Sequence, residues 1–67
     1  MEDSKPIRIL RLPEVLARTG LSRSTVYELI AKRLFPHPVS LSIRAVGWIE
    51  SEIENWIASR TAMDRIK

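Results

Sequence analysis

The chain has 67 residues, a formal net charge of +3 and a pI near 10.0. At this size folding buries only about 60% of the unfolded surface, so one domain with a thin core is expected, and 45% hydrophobic with 28% charged residues is a globular rather than a disordered composition. Cys is absent, which excludes disulfides and Cys-ligated zinc; no apolar run approaches the roughly 18 residues of a membrane span and no signal-peptide pattern opens the chain, so a cytoplasmic protein with no membrane partner is expected.

Residues 1–6 are polar and read as a frayed lead. Ile7, Ile9 and Leu10 read as a short extended segment. Leu12 then precedes a first helix. Pro13 suits its first position, where a missing N–H costs nothing, and Glu14 sits where the helix dipole favours an acid. Val15 and Leu16 face inward, Arg18 faces out, and Gly20 ends the helix by supplying a positive φ.

The stretch from Thr19 to Lys32 reads as the turn and second helix of a helix-turn-helix. Leu21 is an apolar plug beside Gly20, and Ser22 is placed to cap the next helix with its hydroxyl. That helix is predicted to span 23 to about 33. Val26, Leu29 and Ile30 form its apolar face by their three- and four-residue spacing. The opposite face opens with Arg23, Ser24, Thr25 and Tyr27 and later adds Lys32. A guanidinium, two hydroxyls and a phenol at a helix N-terminus suit base edges and phosphates in a DNA major groove. A solvated helix face often carries the same residues without a ligand. The preceding helix, the turn and the surrounding charge favour the DNA reading.

Leu34 and Phe35 are expected to pack back on the core, with Pro36 blocking any continuation of the helix. His37, between two prolines and without a carboxylate or thiol companion, is assigned no chemistry. Val39, Leu41 and Ile43 alternate with Ser40 and Ser42; beyond a turn around residues 42–45, Val46 and Trp48 flank Gly47. This period-two pattern reads as a β-hairpin, a wing, with Arg44 at its tip. A third helix is predicted from about Glu50. Acids crowd its first turn, Ile49, Ile53, Trp56 and Ile57 form its apolar stripe, and it fades near residues 59–62 into a basic end. Trp48 and Trp56 could stack on bases, but each falls on a predicted buried face, and core packing is the reading adopted.

The positive charge is concentrated. Between Arg18 and Arg44 stand five basic residues (Arg18, Arg23, Lys32, Arg33 and Arg44) against one acid, Glu28, while Glu50, Glu52 and Glu54 cluster elsewhere. This distribution favours a polyanionic partner. The fold class expected is mainly α with a small β-hairpin: a winged helix-turn-helix of three helices plus wing, one domain over residues 1–67 with an ordered core at about 8–60. The candidate DNA-binding residues are Arg23, Ser24, Thr25, Tyr27, Lys32, Arg33 and Arg44.

Four strings in order carry a resemblance to a known family: Arg11-Leu12-Pro13-Glu14-Val15; Thr19-Gly20-Leu21-Ser22-Arg23-Ser24-Thr25-Val26-Tyr27; Phe35-Pro36-His37-Pro38-Val39; and Arg44-Ala45-Val46-Gly47-Trp48-Ile49-Glu50-Ser51-Glu52-Ile53. Together they resemble the AlpA-like phage regulators, which are related to excisionases and to MerR-type winged helices. The resemblance covers nearly all of residues 9–59. It implies a small prophage-encoded DNA-binding protein, a transcriptional regulator or an excisionase (recombination directionality factor). By position it implies that Arg23, Ser24, Thr25 and Tyr27 open the recognition helix and that Arg44 is the wing arginine. Members often carry Gly just after the recognition helix, where this chain has Lys32-Arg33-Leu34, and Gly in the wing turn, where it has Ser42-Ile43. They commonly place a basic residue where this chain has Glu28.

The expected function is sequence-specific duplex-DNA binding, with the recognition helix in the major groove and the wing on the adjacent backbone or minor groove. An enzyme is not expected: no Ser-His-Asp or Cys-His set, metal-ligand cluster or Gly-rich phosphate loop is present, and no cofactor is implied. The competing class is a protein-interaction module docking on a regulator or an integrase, to which the acidic third helix is suited. Activator and excisionase share one reading head and are not separated by these residues. Because little chain follows the third helix, a monomer that binds adjacent DNA sites cooperatively is expected.

Overall fold

The computed structural model describes residues 7–63; the polar lead (1–6) and residues 64–67 of the basic end lie outside the described residues, while the third helix runs on to Met63 rather than fading at 59–62. In chain order the elements are β1 (Ile9–Leu10), α1 (Leu12–Thr19), α2 (Arg23–Ala31), β2 (Val39–Ser42), β3 (Ala45–Ile49) and α3 (Glu50–Met63). Three helices with a small antiparallel sheet make a mainly α fold, the architecture of a winged helix-turn-helix. No described helix is long and apolar enough to cross a membrane.

The extended lead-in does more than the sequence suggested. It is a strand, and it pairs antiparallel with β3, Ile9 opposite Ile49 and Leu10 opposite Trp48, so the sheet runs β1-β3-β2. The Glu50 N–H then donates to the Arg8 carbonyl at 2.8 Å, which ties the start of α3 to the start of the sheet. Gly47 sits in the middle strand where a Cβ would collide with Ile9 Cγ2 and crowd the Leu10 carbonyl oxygen at 3.1 Å. Close approach of β1 requires glycine there.

Helix α1 begins one residue earlier than predicted, so Leu12 is its first residue and Pro13 its second. Arg11 is the N-cap, and its backbone N–H donates to Glu14 Oε1 at 3.1 Å. This is the return half of a capping box; a guanidinium has no acceptor to supply the forward half. Proline is as harmless at the second position as at the first, because neither N–H has an intrahelical partner. Gly20 ends the helix at φ 75°, its N–H donating to the Leu16 carbonyl at 2.8 Å.

Among the described residues, six side chains form the buried core: Leu10, Val15, Val26, Phe35, Trp48 and Ile53. They come one each from β1, α1, α2, the α2–β2 loop, β3 and α3. Leu12, Leu16, Leu21, Leu29, Ile30, Trp56 and Ile57 pack around them. Of the apolar stripe predicted for α3, Ile53, Trp56 and Ile57 hold, whereas Ile49 is the last residue of β3, opposite Ile9; Trp48, with none of its surface exposed, is a core residue. Trp56 is half-buried, in an edge-type contact with Phe35 with ring centroids 4.8 Å apart, and the Arg60 guanidinium lies over its ring at 5.1 Å.

The hairpin departs from the predicted alternation. Its register pairs Val39 with Gly47 and Ser40 with Val46, but Ser42 with Ala45, so Leu41 is the extra residue of a bulge. A single inserted residue throws everything beyond it out of phase. Leu41 and Ile43, which the alternation put on one face with Val39, are both exposed, and β2 has no buried side chain. Leu34, expected in the core, is also exposed; Phe35 alone takes that place.

Candidate nucleic-acid interface

Ser22 is the N-cap of α2. Its Oγ accepts from the Thr25 N–H at 3.2 Å and donates to Thr25 Oγ1 at 3.0 Å. The Thr25 hydroxyl is thus engaged as an acceptor, leaving its own proton and its methyl for other contacts. Behind the cap, the Thr19 hydroxyl donates to the Val15 carbonyl at 2.8 Å and accepts from the Leu21 N–H at 3.2 Å. One side chain therefore links the last turn of α1 to the inter-helix turn. Composition gave no sign of it, because Thr at a helix end has many possible partners.

At 100° per residue, Ser24, Tyr27, Glu28 and Ala31 share the side of α2 opposite Val26, Leu29 and Ile30, and all four are exposed. Arg23 flanks that face and is exposed; Thr25 lies at its other edge, half-buried. Glu28, named in the sequence as the one acid of the basic stretch and as a departure from the family pattern, stands near the centre of the outward face. Helical angles from the sequence would have put it there. Its Oε2 accepts from Lys32 Nζ at 3.3 Å across one turn, so the charge of Lys32 is partly satisfied on its own helix.

The helix is shorter than predicted, ending at Ala31 with Lys32 as C-cap. Arg33 follows at φ 61°, in the left-handed region. Its N–H donates to the Ile30 carbonyl at 3.0 Å, and the Leu34 N–H to that of Leu29 at 2.8 Å. This is a Schellman closure with arginine where glycine is usual. It turns the chain sharply and leaves Lys32 and Arg33 exposed beyond the helix end.

Two indoles hold the next segment. Trp56 Nε1 donates to the Leu34 carbonyl at 2.8 Å and Trp48 Nε1 to that of Pro36 at 3.0 Å. The wing is fixed from the other side by Arg11, whose Nε donates to the Val46 carbonyl at 3.1 Å. Arg44 is exposed in the two-residue turn between β2 and β3, on a separate element from the six candidates on and just beyond α2. Arg18 belongs elsewhere: it meets Glu50 at 2.8 Å and Glu54 at 3.4 Å, and so serves the α1–α3 contact rather than the basic surface it was counted with. Among the described residues, Arg23, Arg33 and Arg44 have no ion-pair partner.

A capped helix presented by a tight inter-helix turn, with a hairpin beside it, defines a small winged helix-turn-helix. The chain belongs to the AlpA family: residues 8–61 match the family described as "Prophage CP4-57 regulatory protein (AlpA)". It is 38% identical over 66 residues to the "DNA-binding transcriptional activator AlpA" of Escherichia coli strain K12, covering 90% of this chain and 94% of that protein. It is also 54% identical over 55 residues to the "Uncharacterized protein ORF88" of Enterobacteria phage P4, covering 82% of this chain but only 62% of the phage protein. No solved structure matches the chain.

Proposed function

We propose that the chain is a sequence-specific duplex-DNA-binding transcriptional regulator of the prophage type, with α2 in the major groove and the wing on the neighbouring backbone or minor groove. The observation that carries this reading is the N-terminal half of α2: Arg23, Ser24 and Tyr27 exposed, Thr25 at their edge, on a helix whose apolar side is locked to the core. Such a helix offers base-edge donors and acceptors on a rigid mount. Arg33, just past the C-terminal end of α2, and Arg44, in the wing turn, are further exposed cations on separate elements, available to the DNA backbone or the adjacent groove. The name of the Escherichia coli relative agrees with this reading.

The test is binding-site selection from a random duplex pool for the wild type, Arg23→Ala and Thr25→Ala. The wild type should enrich one motif, and each variant should lose preference at one position, at a cost of about 1–3 kcal/mol. Identical motifs from all three proteins would mean that α2 does not read bases. Whether the motif lies beside a promoter or an attachment site separates a transcriptional role from an excision role.

A further inference from the structure

We propose that Ile43 is the apolar half of a two-residue minor-groove reader at the wing tip, rejecting G·C pairs by their guanine 2-amino group while Arg44 supplies the charge. This rests on the duplex-DNA reading above. Ile43 is 98% exposed, the most exposed large apolar side chain among the described residues. The turn itself gives no reason for an isoleucine. Turn centres favour Gly, Pro, Asn, Asp and Ser, which supply special backbone angles or side-chain hydrogen bonds. Here neither central residue has a positive φ, and Ile43 has no hydrogen-bonding side chain. The bulge at Leu41 keeps Ile43 out of register with the core face, and the anchors from Arg11 and Trp48 hold the hairpin in place. The side chain is therefore presented outward on a rigid support, next to a guanidinium.

The minor groove is about 6 Å wide, so it admits a narrow tip but no helix. A·T pairs show only acceptors on its floor, whereas G·C adds the projecting N2 amino donor. An arginine is drawn to a narrow A·T groove by its negative potential. An isoleucine beside it has no acceptor for the guanine amino group, and would strip that group of water without replacing the lost hydrogen bond. Arg44 alone would favour A·T through groove width; Ile43 adds exclusion of one exocyclic group.

The experiment uses three duplexes bearing the selected site and differing only in the pairs under the wing: A·T, G·C and inosine·C. Inosine keeps guanine's major-groove edge but lacks the 2-amino group. The wild type should bind the A·T and inosine·C duplexes alike and the G·C duplex about tenfold more weakly. Ile43→Ser should shrink the G·C penalty to the residual groove-width preference of Arg44, about two- to threefold, with an unchanged salt slope, since no charge is lost. Ile43→Leu should retain the discrimination. The side chain touches little of the fold, so the Ser variant should melt with the wild type. Retention of the full discrimination of about tenfold in Ile43→Ser would overturn the proposal. So would wild-type binding that groups inosine·C with G·C, since the tip would then be reading a major-groove feature such as the thymine methyl. Failure of the wild type to select any duplex would bring down the DNA reading itself, an outcome distinct from loss of discrimination alone.

Discussion

Arg33 is where local strain and the proposed function meet. A non-glycine residue in the left-handed region costs roughly 1–2 kcal/mol, and Arg33 takes that conformation at φ 61° to close α2. Glycine would relieve the strain but lose entropy from the unfolded chain. Arg33→Gly should therefore gain roughly 0.5–1 kcal/mol, a rise in Tm of about 2–8 °C. As a phosphate contact Arg33 should also leave its mark on binding, so Arg33→Gly should weaken all sites about equally. Arg33→Ala separates the two effects, since it loses the charge and keeps the strain. A lower Tm in Arg33→Gly would refute the account of the helix end. Glu28 offers a second test. Removing its charge in Glu28→Gln frees Lys32 from the contact at 3.3 Å. Binding should tighten on all sequences and the salt slope steepen by up to about one unit. Where the selected motif holds a cytosine read by Glu28, preference should move toward adenine, which suits a glutamine amide. Salt titration with the two proteins checks the first effect and site selection the second.

At the level of elements, the helix-turn-helix was legible because its signals are local. Gly20 announced a positive φ, Ser22 a cap, and the spacing of Val26, Leu29 and Ile30 a buried face, and each stands where it was expected. The wing was legible only as a hairpin. Alternation fixes which residues share a face until a bulge intervenes, and nothing in Ser40-Leu41-Ser42 advertises an extra residue. The pairing of β1 was not legible either, because two residues carry no period and their partner lies in another part of the chain. Thr19 is a similar case: its role depends on three residues meeting at one turn. Thr19→Val keeps the shape and deletes the hydroxyl, leaving the Leu21 N–H without that acceptor and the Val15 carbonyl without the extra donor. Loss of about 1–3 kcal/mol is expected. Thr19→Ser, which keeps both bonds, should be milder. Equal Tm for Thr19→Val and the wild type would show that the tie does not secure the turn.

Over the whole molecule, the core and the charge pattern divide the work between opposite sides of the helices. Because each buried side chain belongs to a different element, a single truncation should loosen the attachment of that element rather than a redundant patch. Ile53→Ala should cost about 2–5 kcal/mol, comparable to the entire stability of many domains of this size. A variant that still melted cooperatively near the wild-type Tm would mean the core is less shared than the six residues suggest. The charges behave differently. Three of the basic residues that surround α2 in sequence, Arg23, Arg33 and Arg44, have no described ion-pair partner, Lys32 is partly satisfied by Glu28, and Arg18 is held by Glu50 and Glu54. Three to four phosphates are therefore the expected engagement, giving a slope of log affinity against log salt of about −3 to −4. Arg44→Ala should flatten that slope by about one unit. Arg18→Ala should leave the slope unchanged, although it carries the same formal charge, and should lower stability by no more than about 1 kcal/mol, because its ion pairs are partly exposed. Salt titrations of the three proteins on one selected duplex decide the matter. An Arg18→Ala slope as flat as that of Arg44→Ala would mean that Arg18 leaves its α3 partners for the DNA, and that net charge rather than its arrangement governs binding. Preservation of the slope in Arg18→Ala alone would assign the binding charge to α2, its C-terminal turn and the wing.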